Sequence, residues 1–385
     1  RHTAPTIARI AKEGVTFAHC YSNETWTAPS TSSMLTGVPS TVHGVTGIDR
    51  QIPDALATLP QIARGVQYVT CIFNENGGNG PPFHGLGKGV DVLYNHDDRG
   101  HPTVNPDELF AQSEALVGKA GAFVSTYKDS PFFLYFHSLN PHAPYLPAKQ
   151  FAQFGPQSGE PASQDQYDGE ILQADTLFGR FVRTLEERGI LDDTLLIVLS
   201  DHGEAFNNPP GVFGHSGKPF GSQIRIPLVM RCPSLFSPGT VVQQNVQMID
   251  VLPTVLDALG LSQPEHLRGK SLVPLAHGIT QPFEDRMIVA SEGDSRAAIQ
   301  GQWKIFVEDA PSNSLVLYNL GSDPAETRDV AGEHPDIVTA LESGLRTRIG
   351  EDEALGRNIA QSATVPGETT VDSERVERLK ALGYL

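Results

Sequence analysis

The sequence predicts an α/β protein, with a large, mostly parallel sheet flanked by helices and then a small antiparallel α+β subdomain. Helical and strand patterns alternate up to about residue 280, as in parallel sheets with crossover helices. Residues 131–137 and 194–199 are continuous apolar runs, typical of strands covered on both faces. From residue 287 on, the apolar runs are short and alternating. We therefore expect one domain over residues 1–280 and a subdomain with a tail over 281–385.

The remaining elements follow from the hydrophobic pattern. Helical spacing predicts helices at residues 5–13, 167–188, 250–259 and 334–349. Apolar or alternating runs predict strands at residues 15–21, 66–73, 131–137, 194–199, 226–230, 297–299 and 303–307. Clusters of Gly, Pro and Asn predict loops at residues 74–82, 140–145 and 207–221. Residues 349–370 are polar without a clear period, and we expect them to wrap the surface.

Composition and charge limit the partners of the chain. Its 385 residues carry a formal net charge of −17, which disfavours binding to nucleic acid or to an anionic membrane surface. No apolar run reaches about 18 residues, so we expect no membrane span. The cysteines Cys20, Cys71 and Cys232 follow no zinc or C-x-x-C spacing and are expected to be buried. The chain begins with Arg1, so we expect a secreted or periplasmic protein if a signal peptide has been removed and a cytoplasmic one otherwise.

A stretch rich in hydroxyl groups follows the first predicted strand. Residues 26–37 read Trp-Thr-Ala-Pro-Ser-Thr-Ser-Ser-Met-Leu-Thr-Gly and predict a turn that enters a short helix. We expect Pro29 at the helix start, with the Ser30 and Thr31 hydroxyls bonded to free backbone N–H groups. A hydroxyl at this end of a helix meets the positive end of its dipole, which favours a developing alkoxide. Thr27 is therefore the first candidate nucleophile.

Several reactive groups follow other predicted strands, at the edge where an open α/β sheet presents its ligand site. His142 follows one apolar strand, and Asp201 and His202 come directly after another. His215 lies in the glycine-rich loop that comes next. A carboxylate beside an imidazole suits a divalent metal with mixed oxygen and nitrogen ligands. With Thr27 and two more imidazoles, the set predicts a site for displacement at an ester.

The motifs and their order resemble the sulfatase family of the alkaline phosphatase superfamily, from Ala4 to the final Leu385. The segments that carry the resemblance are Thr-Ala-Pro-Ser-Thr-Ser-Ser-Met-Leu-Thr-Gly at 27–37, Asn-Pro-His-Ala-Pro-Tyr at 140–145, Tyr-Asp-Gly-Glu at 167–170, Ser-Asp-His-Gly-Glu at 200–204, Gly-His at 214–215, Ile-Arg-Ile-Pro-Leu at 224–228, Leu-Arg-Gly-Lys-Ser-Leu at 267–272, Leu-Tyr-Asn-Leu-Gly-Ser-Asp-Pro-Ala-Glu-Thr at 317–327 and the closing Leu-Lys-Ala-Leu-Gly-Tyr-Leu. The resemblance implies an alkaline phosphatase-like fold and a metal-dependent hydrolase of sulfate esters.

The resemblance also implies roles for single residues. Thr27 takes the position of the nucleophile, and Asp201 and His202 take those of ligands to one divalent metal ion (Ca, Mn, Mg or Zn). It further implies contacts with the charged group or the leaving oxygen of a small-molecule or glycan sulfate or phosphate ester. The residues for these contacts are His142, His215 and, as an additional anion contact, Lys218.

The chain departs from the usual family pattern at three places. Sulfatases carry Cys or Ser where this chain has Thr27, and its oxidation yields formylglycine; Thr cannot yield that aldehyde, so we expect no formylglycine here. The usual Arg is replaced by Thr31, and the usual Gly-Lys-Trp-His segment is replaced around residues 73–77. The family also places two acidic metal ligands on a strand that would precede Arg1, so that first strand is expected to be missing.

These departures leave three functions open. The first is hydrolysis of sulfate esters through Thr27. The second is a phosphoesterase, phosphodiesterase or phosphotransferase, since Thr at this position is similar to phosphoethanolamine transferases and lipoteichoic acid synthases of the same superfamily. The third is a catalytically degenerate member with a binding role. A nucleotide-binding α/β protein is disfavoured, because no G-x-G-x-x-G or Walker motif follows a strand.

Overall fold

The computed structural model of the chain describes residues 2–47, 50–76, 84–95, 105–154, 164–308 and 314–362. Most of the loop predicted at residues 74–82 lies outside these ranges. The end of the chain after residue 362 lies outside them as well, together with the closing Leu-Lys-Ala-Leu-Gly-Tyr-Leu segment of the resemblance.

Up to residue 199, helices alternate with single strands or pairs of strands, as predicted. The elements up to residue 199 are α1 (Pro5–Glu13), β1 (Val15–Tyr21), α2 (Thr27–Thr36), α3 (Ser40–His43), α4 (Leu59–Gly65), β2 (Val69–Asn74), β3 (Val92–Asn95), α5 (Pro106–Thr126), β4 (Phe132–His137), α6 (Gln164–Glu187) and β5 (Leu196–Leu199). The elements after it are β6 (Ala205–Phe206), β7 (Phe213–Gly214), α7 (Gly221–Ile224), β8 (Arg225–Ile226), β9 (Leu228–Arg231), β10 (Thr240–Gln247), α8 (Val251–Ala258), α9 (Val273–Ala276), β11 (Ile288–Glu292), β12 (Ser295–Gln300), β13 (Trp303–Glu308), β14 (Leu315–Asn319) and α10 (Pro335–Ser362).

Strand β1 lies inside a mixed sheet with the order β10-β1-β9-β5. β10 is parallel to β1, whereas β8 and β9 pair with β1 antiparallel. β5 is antiparallel to β9, so it has the same direction as β1. The strand predicted at 226–230 is interrupted at Pro227, which has no N–H to donate to a neighbouring strand.

A second sheet, with the order β3-β2-β4, is parallel throughout. β4 and β5 each send alternate side chains into the same two apolar layers. Phe133 and Ile197 pack into the layer that contains α2 and α8, whereas Leu134 and Val198 pack into the layer that contains α5 and α6. Both strands therefore lie between the same two layers of helices, and the α/β prediction is confirmed.

The C-terminal part is an antiparallel sheet with the order β11-β12-β13-β14, as the alternating pattern predicts. Helix α10 begins on this sheet, where Leu341 and Leu345 pack into its core. The segment predicted to wrap the surface without a regular period, residues 349–370, lies mostly at the surface in its described part but is helical, because α10 continues to Ser362. Leu355 and Ile359, four residues apart, pack the second half of this helix against the apolar layer that contains α2 and α8. The domain boundary at residue 280 stays a prediction.

Helix α2 differs from its prediction at the N-terminus. It begins at Thr27, so Pro29 is its third residue, and no side chain caps its first turn. The Thr31 hydroxyl donates to the Thr27 carbonyl at 2.8 Å, and the Ser30 hydroxyl donates to the Glu24 carbonyl at 3.4 Å. The predicted capping roles of Ser30 and Thr31 are therefore wrong. Because these hydroxyls bond to backbone carbonyls, a polar sequence can form a fully buried helix.

Candidate active site

Thr27 is the first residue of α2 and stands at the end of the loop that follows β1. Its side chain is nearly buried, with 6% of the residue exposed. Thr27 Oγ1 lies 3.4 Å from His202 Nε2. The free N–H groups and the dipole of α2 favour negative charge at this position. The structure therefore places the Thr27 hydroxyl where an alkoxide or an anionic ligand is stabilised.

Asp201 and His202 follow β5 in a turn that is tied to the end of β1. The Ser22 hydroxyl donates to the Asp201 carbonyl at 2.7 Å, and the His202 N–H donates to Asp201 Oδ1 at 3.0 Å. Burial raises the pKa of the Asp201 carboxyl, but the imidazoles of His202 and His137 and a hydrogen bond from Thr27 outweigh burial, and the net pKa is lowered. Asp201 is therefore a carboxylate at neutral pH.

Three imidazoles lie side by side, and that of His202 is next to Thr27. The ring centroids of His202 and His215 are 4.4 Å apart, and those of His142 and His215 are 5.1 Å apart. Nδ1 of His202 faces the Gly203 carbonyl at 2.9 Å, and Nδ1 of His142 faces the Ala143 carbonyl at 2.7 Å. A carbonyl only accepts, so in each ring Nδ1 is the donor in this contact and Nε2 is the atom left for other partners.

His215 differs from the other two imidazoles because its Nδ1 faces a carboxylate. The distance from His215 Nδ1 to Glu204 Oε2 is 3.1 Å. Burial lowers the pKa of His215, but the hydrogen bond and charge of Glu204 outweigh burial, and the net pKa is raised. Burial lowers the pKa of His142, which no carboxylate contact offsets to the same extent. The site thus holds one imidazole that favours the cationic form and one that favours the neutral form.

The loop that carries His142 is held by side chains of α6. Glu170 accepts from the His142 N–H at 2.9 Å and from the Leu146 N–H at 3.0 Å. Gln173 accepts from the Ala148 N–H and donates to the Asn140 side chain. Glu170 and Gln173 are buried, so their positions are fixed by packing. Glu170 belongs to one motif of the resemblance but was predicted to have no role, and Gln173 was not predicted as a site residue.

These groups share a cleft whose open space, including its mouth, is about 380 Å³. The cleft lies at the carboxyl ends of β4 and β5, in agreement with the strand-end prediction. Its lining residues are Thr27, His137, Ser138, Leu139, Pro141, His142, Tyr167, Ser200, Asp201, His202, Gly203 and Glu204. Of the predicted residues, the structure brings Thr27, His142, Asp201 and His202 to this lining, and His215 contacts two of its imidazoles.

His137, Tyr167 and Glu204 also face the cleft and were not predicted as site residues. His137 is the last residue of β4, so the strand-end rule could have identified it in the same way as Asp201. Its Nδ1 lies 2.8 Å from the Tyr135 hydroxyl. Glu204 and Tyr167 belong to motifs of the resemblance, but no local pattern indicates that they turn toward His215 and the cleft.

Lys218 has a different environment from the one predicted. Its Nζ lies 2.7 Å from Glu308 Oε1 and 5.3 Å from the centre of the Phe306 ring. It is absent from the cleft lining. The role of Lys218 as an anion contact stays a prediction, and it requires the pair with Glu308 to open.

The implied metal ion can be compared with the donors that are present. Asp201 is ionised, and His202 Nε2 lies 3.6 Å from Asp201 Oδ2, so the type and orientation of these two donors suit a divalent cation. Within the described residues, no group of three or more His, Cys, Asp or Glu side chains is arranged to hold a metal. Asp201 and His202 are therefore suitable ligands for the ion. They are fewer than the ligands of a metal site that is built from protein side chains alone.

Glu24, shortly before Thr27 in the sequence, makes the free energy of unfolding depend on pH. Burial raises its pKa from 4.5 to about 8. The folded protein keeps this proton and the unfolded chain releases it, so the free energy of unfolding falls by about 1.4 kcal/mol per pH unit between these values. Glu24→Gln imitates the neutral acid and should remove this loss. Urea unfolding at about pH 5 and about pH 8 should show the variant gaining stability relative to the wild type at the higher pH.

The exposed Glu187→Gln variant is the control for Glu24 and should show the same pH dependence as the wild type. If Glu24→Gln and the wild type lose stability in parallel as the pH rises, Glu24 is ionised in the folded protein and this interpretation is wrong.

Comparison with known proteins places the chain in a family. The Sulfatase family model matches residues 1–261, and the model described as N-sulphoglucosamine sulphohydrolase, C-terminal, matches residues 218–351. The chain is 28% identical over 265 residues to N-acetylgalactosamine-6-O-sulfatase of Bacteroides thetaiotaomicron, which covers 61% of this chain and 50% of that protein. The chain thus spans half the length of this relative.

Solved structures share the fold. The phosphonate monoester hydrolase of Agrobacterium radiobacter has a TM-score of 0.75 and 20% identity, covering 91% of each chain. A protein solved in complex with its substrate D-glucosamine-2-N,6-O-disulfate has a TM-score of 0.73 and 18% identity, covering 92% of this chain and 93% of that one. No helix among the described residues has the length and apolar composition needed to cross a bilayer. Since one family model covers well over half of the sequence, the chain belongs to the sulfatase family.

Proposed function

We propose that the chain hydrolyses sulfate esters of small molecules or glycans, with the Thr27 hydroxyl as nucleophile. The observation that carries this proposal is the position of Thr27 Oγ1 at the start of α2, 3.4 Å from Nε2 of His202, whose ring is packed beside that of His215. Family membership supports the reaction class, and the relative from Bacteroides thetaiotaomicron is a sulfatase. The structure with D-glucosamine-2-N,6-O-disulfate supports a sulfated sugar as one kind of substrate.

In the proposed reaction, the Thr27 hydroxyl releases its proton to solvent, and Thr27 Oγ1 then forms a bond to sulfur as the bond from sulfur to the ester oxygen breaks. His215 donates a proton from Nε2 to the leaving oxygen, since its contact with Glu204 favours the cationic form. His142 accepts the proton of the water that cleaves the Thr27 ester, since burial keeps its Nε2 unprotonated. Asp201 and His202 would hold a divalent cation, which when bound lowers the pKa of the Thr27 hydroxyl and neutralises charge on the ester.

Phosphate esters are the second candidate substrates. A plain alkoxide is a sufficient nucleophile for phosphorus, and a formylglycine is not expected at Thr27. The fold is shared with a phosphonate monoester hydrolase. Among the described residues that line the cleft there is no Lys or Arg, which disfavours the doubly charged phosphate monoesters and favours singly charged diesters. A binding protein without catalysis is the third candidate, because the described residues supply only two well-oriented metal donors.

A substrate panel separates the three candidates. We expect the purified chain with added Mg²⁺, Ca²⁺, Mn²⁺ or Zn²⁺ to hydrolyse an aryl sulfate faster than an aryl phosphate or an aryl phosphodiester. Thr27→Ala, purified in the same way, controls for contaminating esterases. Faster cleavage of the phosphodiester would replace the first candidate with the second. No hydrolysis of any ester with any of these ions would leave only the binding role.

A further inference from the structure

One face of strand β13 holds the segment that follows His215. Alternate residues of a strand share a face, and the residues on this face of β13 are Lys304, Phe306 and Glu308. Phe306 stacks on Phe220 with ring centroids 5.9 Å apart, and Glu308 pairs with Lys218. Each of these two contacts joins the C-terminal sheet to the segment that follows His215.

Lys304 completes this set through a second buried residue. Its Nζ lies 2.9 Å and 2.8 Å from the two carboxylate oxygens of Glu326, and both residues are buried. Glu326 Oε1 also accepts from the Gly221 N–H at 2.8 Å. A Cβ at Gly221 would lie 2.6 Å from this oxygen, so a side chain there would displace the Glu326 carboxylate. Glu326 itself has a φ of +55°, a conformation that a residue with a side chain adopts only when its contacts require it.

From Gly221 a short series of backbone contacts leads to both sides of the cleft. Gln223, in the same turn, accepts from the Gly203 N–H at 2.7 Å and donates from its side chain to the Gly214 carbonyl at 3.1 Å. Gly203 is the residue whose carbonyl orients His202 Nδ1, and Gly214 precedes His215. A Cβ at Gly203 would lie 2.2 Å from the Ser222 carbonyl oxygen, so this backbone contact leaves no space between the two segments.

We propose that Lys304 and Glu326 are positioning residues of the cleft, which fix the turn at residues 221–223 and through it the imidazoles of His202 and His215. The buried Lys304 charge holds the Glu326 carboxylate, the carboxylate holds the Gly221 N–H, and Gln223 then sets the backbone beside both imidazoles. The catalytic part of this inference rests on the proposed function, whereas the structural part does not.

The test uses Glu326→Gln and Lys304→Met in the full chain. Glu326→Gln keeps a carbonyl oxygen for the Gly221 N–H but loses the charge, and Lys304→Met removes the cation with little change in volume. Asp352→Asn is the matched control, because Asp352 is a buried carboxylate paired with Arg268 and Arg348 at a place that does not contact the turn. Hydrogen exchange followed by mass spectrometry reports on residues 203–224, and kcat and KM are measured with the best substrate of the panel.

We expect both variants of the pair to exchange faster in residues 203–224 than the wild type, with the rest of the α/β domain unchanged, while Asp352→Asn does not change this segment. We expect kcat to fall about 10- to 100-fold and KM to change less, since misplaced catalytic groups act on the chemical step. Unchanged exchange in residues 203–224, or an equal increase over the whole chain in all three variants, would overturn the proposal. If the wild type hydrolyses no ester, the proposed function fails and the exchange result still decides whether the pair positions the cleft.

Discussion

Replacing Thr27 by alanine is expected to lower the rate of ester hydrolysis by about 10⁴-fold or more, because the variant lacks the atom that forms the bond to the ester. The fold should remain, since alanine is a good helix residue and the Thr27 hydroxyl lies beside His202 and Asp201 rather than within the core. Steady-state kinetics with the best substrate of the panel measures the first effect, and thermal unfolding measures the second.

Two further variants make the Thr27 result specific. Thr36→Ala removes a buried hydroxyl from the same helix, where it donates to the Ser32 carbonyl at 2.6 Å, and should leave the rate within about threefold of the wild type. Thr27→Ser keeps a hydroxyl and should retain activity within about one order of magnitude. A Thr27→Ala enzyme with wild-type turnover, free of contaminating esterase, would show that another group attacks the ester.

Asp201→Asn should lower turnover by about 10³-fold and should also lower the content of divalent metal in the purified protein. The substitution keeps the shape of the side chain and its contact with the His202 N–H but removes the charge that a cation requires. Metal analysis by mass spectrometry after dialysis against each ion, with activity measured on the same samples, gives both quantities.

The control for Asp201 is Asp129→Asn, which changes an exposed carboxylate far from the cleft lining and should alter neither metal content nor rate. An Asp201→Asn protein that retains the metal content of the wild type would place the cation elsewhere. Unchanged turnover in that variant would remove Asp201 from the reaction.

The position of the candidate site could be predicted from the sequence because it depends on a simple property of sheets. Strands that point the same way end at the same edge, so Thr27, His142 and Asp201 converge although they are far apart in the chain. The same rule applies to His137, which the analysis missed because this histidine belongs to the apolar strand itself. The helices at residues 5–13, 167–188 and 250–259 were predicted closely because their apolar spacing is local.

Features that depend on distant partners could not be predicted in the same way. The place of β1 between β10 and the antiparallel β9 follows from contacts between segments more than two hundred residues apart. Lys218 pairs with Glu308 and the Glu326 carboxylate bonds to the Gly221 N–H, and no local pattern indicates either contact. The roles of the Ser and Thr residues of α2 could not be predicted for a different reason. A hydroxyl can accept a hydrogen bond as a helix cap or donate one to a carbonyl within the helix, and the sequence does not distinguish the two.

Thr27 should form a covalent ester during turnover, and mass spectrometry of the acid-quenched enzyme can detect this ester. The wild type, mixed with an excess of the best substrate and quenched within one turnover, should give a peptide containing Thr27 that is heavier by one sulfuryl or phosphoryl group. Fragmentation should place this group on the Thr27 oxygen, and the Thr27→Ala protein should show no such peptide. Turnover with an unmodified Thr27 and the transferred group on another side chain would contradict the account.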